Sequence, residues 1–307
     1  MVVSKDISKE LAQDEEVRRR AKRNKKKPKS LQQKIVFGIV FAFFIVYAIY
    51  ILTPFAYGFL ISLKKNGRAF MNEDIFVNLR YFDNYAKAIK SLTLNDINYF
   101  SMLFNSIWYA VGTTVVSTAS TIVTGYIFAK YEFRAKKVMY SMILFFMMLP
   151  IYGTMAATYR LYTKLGFINS PLILISFYGG FGGTFLYMHG FFKGLSWSYA
   201  EAAFIDGAGN FRVFISIMVP MLMPTLSAMA IMAFIGNWNA YETILLYLPK
   251  MPNLAAGLYT YEFGMKYTAN QPIYFAGVML SLFPIVTLFL IFQNTIMSKI
   301  YIGGLKA

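Results

Sequence analysis

Six apolar windows dominate this sequence, and each one is long enough to cross a membrane as a helix. They cover residues 35–63, 104–129, 138–157, 172–192, 214–238 and 275–297. The hydrocarbon core of a bilayer is about 30 Å thick, which a helix of about 20 residues crosses. Because 57% of the residues are hydrophobic and only 14% are charged, the sequence predicts an all-α integral membrane protein with six transmembrane helices.

The first window follows a strongly charged segment, residues 1–34, which carries 12 Lys and Arg against 5 acidic residues. A secretory signal is the competing interpretation. It is disfavoured because the apolar stretch exceeds the 7–15 residues of a signal core and no A-x-A cleavage site follows it. A nucleic-acid partner is also disfavoured, because no aromatic residues are interleaved for base stacking. The segment is predicted to be a cytoplasmic flank of a membrane anchor, beside the lipid bilayer.

The positive-inside rule sets the predicted orientation. With six spans, residues 1–34 and the tail 298–307 both lie in the cytoplasm, on either side of a transmembrane domain at 35–297. The basic loop that holds Lys130, Arg134, Lys136 and Lys137 is then also cytoplasmic. Residues 64–99, with room for one or two short amphipathic helices, and residues 247–272 are predicted to face the outside.

Several kinds of chemistry are missing from the sequence. The absence of cysteine excludes disulfides and thiol nucleophiles, and one histidine leaves no metal site to predict. Within the six windows the only ionisable residue is His189, which disfavours ion-driven transport. No G-x-x-x-x-G-K-[ST] loop is present, so the chain is predicted to have no ATPase site and no catalytic residue of its own. Any energy must come from another polypeptide.

Glycines in the fourth window are assigned to packing. The run GGFGG at residues 179–183 places Gly179 and Gly183 in a G-x-x-x-G spacing, which is typical of close helix contacts in membranes.

Residues 196–220 place two acids and an arginine between apolar windows. A helix is predicted from Ser196 or Ser198, either of which could cap it, and Gly207 with Gly209 ends it. A second helix begins near Phe211 and enters the fifth span. From the residues alone, this cytoplasmic segment either joins spans four and five or docks another protein.

The same segment resembles the cytoplasmic E-A-A motif of ABC importer permeases. Glu201, Ala202, Ala203 and Gly207 fit the motif, as do Ile217 and Pro220 at their spacing, whereas Val219 stands where leucine is usual and Ser196–Ser198 replace the usual proline and acidic residues. The resemblance implies a coupling helix that sits in a cleft of a separate ATPase, present in two copies that bind ATP and Mg²⁺. The residues expected to couple to it are Glu201, Ala202, Ala203, Asp206, Gly207 and Arg212, with Gly304 and Leu305 of the tail.

Residues 100–307 resemble the second, six-span permease of maltose-type carbohydrate importers. The matching positions are Asn105-Ser106, Phe133, Leu149-Pro150, Gly166–Asn169, Asp206–Ala208, Trp238-Asn239 and Gly303–Leu305. The resemblance implies a homologous second permease and an extracytoplasmic sugar-binding protein as partners, in a bacterial plasma membrane. A peptide or polyol cargo, or a non-transporting scaffold or channel, remains open as an alternative.

Contacts with the cargo and with the binding protein are predicted from residue type and position. Aromatic faces and hydrogen-bonding groups bind sugars, so the candidates for the substrate pathway are Tyr152, Tyr159, Asn237, Trp238, Asn239 and Tyr241. The loop around residues 250–257 resembles, by position, a family loop that reaches the binding protein, and its candidates are Lys250, Asn253 and Gly257.

Overall fold

The computed structural model describes residues 31–72, 74, 76, 79–149, 153–177, 179–264 and 270–297. Its helices are α1 (Leu31–Ser62), α2 (Gly67–Asn72), α3 (Asp83–Ser91), α4 (Tyr99–Lys130), α5 (Lys136–Met148), α6 (Met155–Lys164), α7 (Gly183–Gly194), α8 (Ser198–Ile205), α9 (Asn210–Val213), α10 (Val219–Met221), α11 (Met223–Trp238), α12 (Tyr241–Tyr247), α13 (Leu254–Gly264) and α14 (Gln271–Met297). A 3-10 helix, Pro171–Phe177, precedes α7, and a π-helical segment, Phe214–Met218, separates α9 from α10.

Three of the six apolar windows form long single helices, as predicted. They are α1, α4 and α14, and each is long and apolar enough to cross a membrane. The chain divides into two compact units after Tyr57, within α1. The apolar side chains of α1 up to that point are exposed, which suits a helix surrounded by lipid.

The third and fourth windows differ from the prediction because neither is one continuous helix. In the third, α5 ends at Met148 and α6 begins only at Met155. In the fourth, the glycine run interrupts the helix between Phe177 and Gly183. Proline and glycine are the poorest helix formers, and Pro150 and the glycine run lie at these two breaks. Each remaining helix is shorter than the thickness of a bilayer requires.

The fifth window is helical but sharply bent. The helical stretch from Asn210 to Met221 meets α11 at 77°. Pro220 and Pro224 flank the bend at Leu222, and neither has a backbone N–H to continue the helical ladder. A π-helical turn precedes it, which is a further irregularity of the same ladder. Two prolines within five residues therefore account for the bend.

Helix α4 lies at the centre of the fold and packs against α7 and α11. Its contact with α7 is close because Gly125 has no side chain. A Cβ atom at Gly125 would lie 2.7 Å from Cβ of Met188 and 3.2 Å from the backbone nitrogen of His189. At the other end of α4, a core that includes Met102 and Ala110 joins α4 to α3, α11, α13 and α14.

The predicted G-x-x-x-G contact is wrong in its residues, because Gly180 makes the close approach. A Cβ atom at Gly180 would lie 2.6 Å from Cγ2 of Thr124, and Oγ1 of Thr124 donates to the Gly180 carbonyl at 2.8 Å. Among the described residues, nothing lies within 4 Å of a Cβ built on Gly179 or Gly183. The glycine run thus packs on α4 through its second residue.

The predicted helices of the 64–99 segment are present as α2 and α3. Helix α3 packs against α14, where Ala88 is fully buried.

Candidate functional site

The segment 196–220 folds into two helices that meet at a tight turn, here called the hairpin (α8, Asp206–Gly209 and α9). Gly207 adopts φ +80°, a conformation that glycine tolerates and other residues strain to reach. Its N–H donates to the Phe204 carbonyl at 3.0 Å, and the Ala208 N–H donates to the Ala203 carbonyl at 2.9 Å. These two bonds form a Schellman motif, which satisfies the last carbonyls of α8. The helix end predicted at Gly207 is confirmed.

The beginning of α8 differs from the prediction. The helix starts at Ser198, the N-cap position is Trp197, and no side chain caps the helix there. Ser196 acts just before the helix, where its Oγ accepts the Ser198 N–H at 3.3 Å. Ser196 therefore satisfies a free N–H at the start of α8, as predicted for a capping serine, but from the position before the N-cap, and Ser198 is the first helical residue.

The hairpin has one buried face and one exposed face. Ala200, Ala203 and Val213 are buried in a core with α4 and α7. On the other face, Ile205 is 86% exposed and Phe211 is 78% exposed. Glu201, Ala202, Asp206, Gly207 and Arg212 are exposed as well. Among the predicted coupling residues of the hairpin, Ala203 alone is buried.

An aromatic cluster, here called the cage (Tyr126, Tyr131, Phe192, Trp197, Phe204 and Phe214), holds the buried face of the hairpin. The Tyr126 ring lies 4.7 Å from Phe214 and 5.3 Å from Phe192. The Trp197 ring lies 6.0 Å from Phe204 and 6.4 Å from Tyr131. Such edge-to-face and tilted aromatic pairs favour a fixed geometry. The cage therefore ties the hairpin to the ends of α4 and α7.

Two polar contacts reinforce the cage. Nζ of Lys130 donates to the Leu195 carbonyl at 2.6 Å and lies 5.9 Å from the centre of the Trp197 ring. The Tyr131 hydroxyl donates to Oδ1 of Asn210 at 3.2 Å. These residues were not predicted from the sequence, because their partners lie 65 to 79 positions away. The only sequence signal for this contact was that Lys130 and Tyr131 follow directly after an apolar window.

At the opposite end of α4, side-chain amides hold the loop between α12 and α13. We call Asn95, Asn105 and Asn169 the asparagine clamp. Nδ2 of Asn95 donates to the Pro249 carbonyl and Nδ2 of Asn105 donates to the Pro252 carbonyl, both at 2.9 Å. Oδ1 of Asn169 accepts the Lys250 N–H at 2.8 Å. Three distant segments thereby fix one loop.

Two further hydrogen bonds hold the same loop. The Asn169 N–H donates to the Tyr247 carbonyl at 2.8 Å, and Oγ of Ser106 accepts the Leu254 N–H at 2.9 Å. The Asn105-Ser106 pair and the Gly166–Asn169 stretch, matched by resemblance in the sequence, therefore act on the same loop.

The clamp and the cage are far apart along α4. Tyr126 follows Asn105 by 21 positions, a rise of about 30 Å at about 1.5 Å per residue. This separation equals the thickness of the hydrocarbon core of a bilayer.

The loop between α12 and α13, here called the clamped loop, contains three residues predicted to contact a binding protein, and these residues differ in exposure. Lys250 is exposed. Asn253 is 0% exposed, and its Oδ1 accepts the Ala256 N–H at 2.8 Å, so it caps α13. Gly257 is also buried, and a Cβ atom there would lie 2.6 Å from Sδ of Met102. Only Lys250 offers its side chain to a partner in this conformation.

The predicted pathway residues are spread over three surroundings. Nδ2 of Asn237 donates to Oγ1 of Thr114 on α4 at 3.3 Å. Trp238 is 2% exposed and packs against Phe234 in the core. Nδ2 of Asn239 donates to the Ile235 carbonyl at 2.9 Å, and this residue is exposed at the end of α11.

The tyrosines among those candidates stack on other tyrosines. Tyr241 lies 4.3 Å from the Tyr259 ring, and Tyr159 lies 6.3 Å from the Tyr247 ring. Burial, followed by the hydrogen bond to Glu242, raises the pKa of Tyr241. Tyr241 therefore remains neutral at physiological pH, and its hydroxyl donates to Oε1 of Glu242 at 3.2 Å.

Three predicted site residues, Tyr152, Gly304 and Leu305, lie outside the described residues. Within the described part of the chain, no group of three or more His, Cys, Asp or Glu residues is placed to hold a metal ion.

Comparison with known proteins assigns residues 121–300 to the family described as "Binding-protein-dependent transport system inner membrane component". A diacetylchitobiose uptake system permease protein of Streptomyces coelicolor is 25% identical over 278 residues, which are 88% of this chain and 89% of the relative. A maltodextrin transport system permease protein of Streptococcus pneumoniae is 28% identical over 280 residues, which are 90% of this chain and 98% of the relative.

The fold is also found in a solved structure. One chain of the crystal structure of a bacterial ABC transporter involved in the import of the acidic polysaccharide alginate aligns with a TM-score of 0.68 at 21% identity. The alignment covers 87% of this chain and 99% of the other.

Proposed function

The chain belongs to the family of binding-protein-dependent transport system inner membrane components, and on this basis we propose how it works as a carbohydrate ABC importer permease. It is a membrane transport subunit, and its relatives carry maltodextrin and diacetylchitobiose. We propose an oligosaccharide as the cargo of this chain. In the proposed importer it forms half of the translocation pathway, and a homologous permease forms the other half.

The hairpin is the observation that carries the proposal. Its exposed face presents Ile205 and Phe211 beside Glu201 and Asp206. Exposed apolar side chains grouped on one surface indicate a site of protein contact. A cleft in a separate ATPase, where ATP and Mg²⁺ bind, is the proposed partner of this face.

The cage connects the hairpin to the transmembrane helices, so motion of one can move the other. Closure of two ATPase subunits would displace the hairpin, and the cage would carry that displacement to α4 and α7 as a rigid contact. The irregular π-helical segment and the bend at Leu222 lie directly beyond the hairpin. They are the proposed places where the fifth span changes its angle.

The proposed orientation places the hairpin in the cytoplasm and the clamped loop outside. It is supported by the basic residues of 1–34 and of the loop that contains Lys136, which the positive-inside rule assigns to the cytoplasm. The separation of about 30 Å between Asn105 and Tyr126 supports opposite sides of one bilayer. Six spans, with both termini in the cytoplasm, complete this arrangement.

The clamped loop is the proposed contact with an extracytoplasmic sugar-binding protein. The asparagine clamp holds its backbone in one conformation, which lowers the entropy lost when a partner binds. Lys250 supplies an exposed charge at its tip. For the cargo itself, Asn239 and Tyr241 are the proposed contacts, because both keep accessible polar groups near the end of α11.

Co-purification with the ATPase tests this function. The wild-type permease is expected to retain the ATPase, and Gly207→Pro is expected to lose both the ATPase and sugar uptake. Proline cannot adopt φ +80°, and it would remove the N–H that bonds to Phe204. Uptake and ATPase retention that survive Gly207→Pro would contradict coupling through the hairpin.

A further inference from the structure

Basic residues are concentrated where α4 ends and α5 begins. Residues 130–137 contain Lys130, Arg134, Lys136 and Lys137 against the single acid Glu132. Helix α7 adds Lys193, and His189 lies within electrostatic range of both Lys136 and Lys193. The rings of Tyr140 and His189, 5.1 Å apart, join α5 to α7 at this level.

Only some of these basic side chains form hydrogen bonds or ion pairs with other described residues of the chain. Lys130 is engaged by the Leu195 carbonyl. Nζ of Lys136 lies 2.7 Å from Oε1 of Glu132, and this hydrogen bond lowers the pKa of Glu132. Among the described residues, no carboxylate lies within ion-pair distance of Arg134, Lys137 or Lys193. The surface therefore carries an excess of positive charge.

An exposed face of α5 begins at this surface. It presents Lys137, Val138, Ser141, Met142 and Phe145, with an open space of about 440 Å³ above them. The spacing i, i+1, i+4, i+5, i+8 puts all five on one face of a helix. Lys137 and Ser141 form the polar end, and Met142 and Phe145 continue it as an exposed apolar surface.

We propose that this face of α5 binds an anionic phospholipid, with its phosphate at Lys137 and Ser141 and an acyl chain along Met142 and Phe145. The excess positive charge selects an anionic headgroup over a zwitterionic one. The change from polar to apolar within about two helical turns fits an amphiphile rather than a free anion. A cluster of basic residues at the cytoplasmic end of a membrane helix is where such lipids are recognised, and the proposed orientation places these residues there.

This inference goes beyond the transport function, since lipid retention can be measured without cargo or ATP turnover. The purified importer, stripped of lipid in detergent, is titrated with phosphatidylglycerol, phosphatidylcholine or inorganic phosphate and analysed by native mass spectrometry. Phosphatidylglycerol is expected to be retained at low concentration, and the other two are not.

Variants locate the site. Lys137→Gln is expected to weaken phosphatidylglycerol binding about fivefold, the effect of one basic residue near an anionic membrane surface. Ser141→Trp covers the polar end of this face beside Lys137 and is expected to abolish binding. Lys90→Gln removes the same charge from an exposed position on α3 and is expected to leave binding unchanged. Unfolding temperatures measured in parallel identify any variant that fails to fold.

Four results would overturn the assignment. Equal retention of phosphatidylcholine would remove the role of charge, and equal retention of inorganic phosphate would remove the role of the acyl chain. Equal losses in Lys137→Gln and Lys90→Gln would show a non-specific charge effect. Crosslinking of Ser141→Cys to another subunit in place of lipid would show that this face of α5 is a protein interface.

Discussion

At the scale of single residues, the turn of the hairpin depends on Gly207. No atom of the described residues lies within 4 Å of a Cβ built there, so a side chain would have space. The cost of Gly207→Ala is therefore conformational, about 1–2 kcal/mol for a left-handed residue. We expect this variant to weaken ATPase binding by up to about 5- to 30-fold, measured as the affinity of the purified permease for the ATPase.

Gly209 provides the matched control. It has φ −77°, which any residue adopts, and in the described part of the chain nothing lies within 4 Å of a Cβ built there. Gly209→Ala is expected to bind the ATPase as the wild type does. Equal losses in both variants would mean that the hairpin tolerates no added methyl group, and the conformational explanation would fail.

The asparagine clamp makes a separate residue-level prediction. Asn105→Leu keeps the approximate size of the side chain but leaves the buried Pro252 carbonyl without its donor, at a cost of about 1–3 kcal/mol. We expect stimulation of ATP hydrolysis by the binding protein to fall severalfold, while basal hydrolysis is retained.

Lys250→Gln distinguishes the ordering of the clamped loop from its contact with the binding protein. Only the backbone N–H of Lys250 takes part in the clamp, so this variant leaves the clamp intact. Amide hydrogen exchange in the loop is expected to rise in Asn105→Leu and to stay unchanged in Lys250→Gln. Unchanged exchange in both variants would show that the clamp does not order the loop.

The role of a residue could be predicted from the sequence where its contacts are local, but not where its partners lie far away along the chain. The helix end at Gly207 was predictable because a glycine after a run of helix formers is a local signal. The roles of Asn95, Asn105 and Asn169 were not, since their partners lie up to 154 positions away. Asn253 was predicted to meet a partner but is a buried helix cap, because exposure depends on the packing of α13 against α4.

At the scale of helices, the contact between α4 and α7 depends on Gly125. A methyl group there would meet Cβ of Met188 at 2.7 Å, and α7 would have to move. Overpacking of this kind costs about 1–3 kcal/mol. We expect Gly125→Ala to lower the unfolding temperature of the purified protein by several degrees.

Gly190→Ala serves as the control within α7. None of the residues that the structure describes comes within 4 Å of a Cβ at Gly190, and alanine is the better helix former. Its unfolding temperature is expected to stay the same or rise slightly. A fall as large as that of Gly125→Ala would indicate that the glycines act through something other than the helix contact.

Helix boundaries were predictable only where hydrophobicity ran without interruption. α1, α4 and α14 satisfy this condition, and their windows matched. The prolines of the window at 214–238 are compatible with a kink or with an ordinary packing irregularity, and in the structure Pro220 and Pro224 flank a bend of 77°. The prolines were visible in the sequence, but a single proline can be absorbed in a membrane helix, so the size of the bend required the structure.

At the scale of the whole molecule, the account requires the hairpin and the clamped loop to lie on opposite sides of the membrane. The chain contains no cysteine, so a single introduced cysteine is the only thiol in this subunit. In intact cells, Lys250→Cys is expected to react with a membrane-impermeant maleimide. Ile205→Cys, highly exposed in this chain, is expected to react only after permeabilisation in cells that lack the ATPase subunits, where docking cannot shield it. Reaction of both residues in intact cells would refute the proposed orientation.

The central claim is that the hairpin docks into a separate ATPase, and crosslinking tests it most directly. A photoreactive maleimide is attached to Ile205→Cys or to Lys250→Cys in the reconstituted importer, and the captured subunits are identified after illumination. The account predicts capture of the ATPase from position 205 and not from position 250. Failure to capture the ATPase from position 205, or equal capture from both positions, would contradict it.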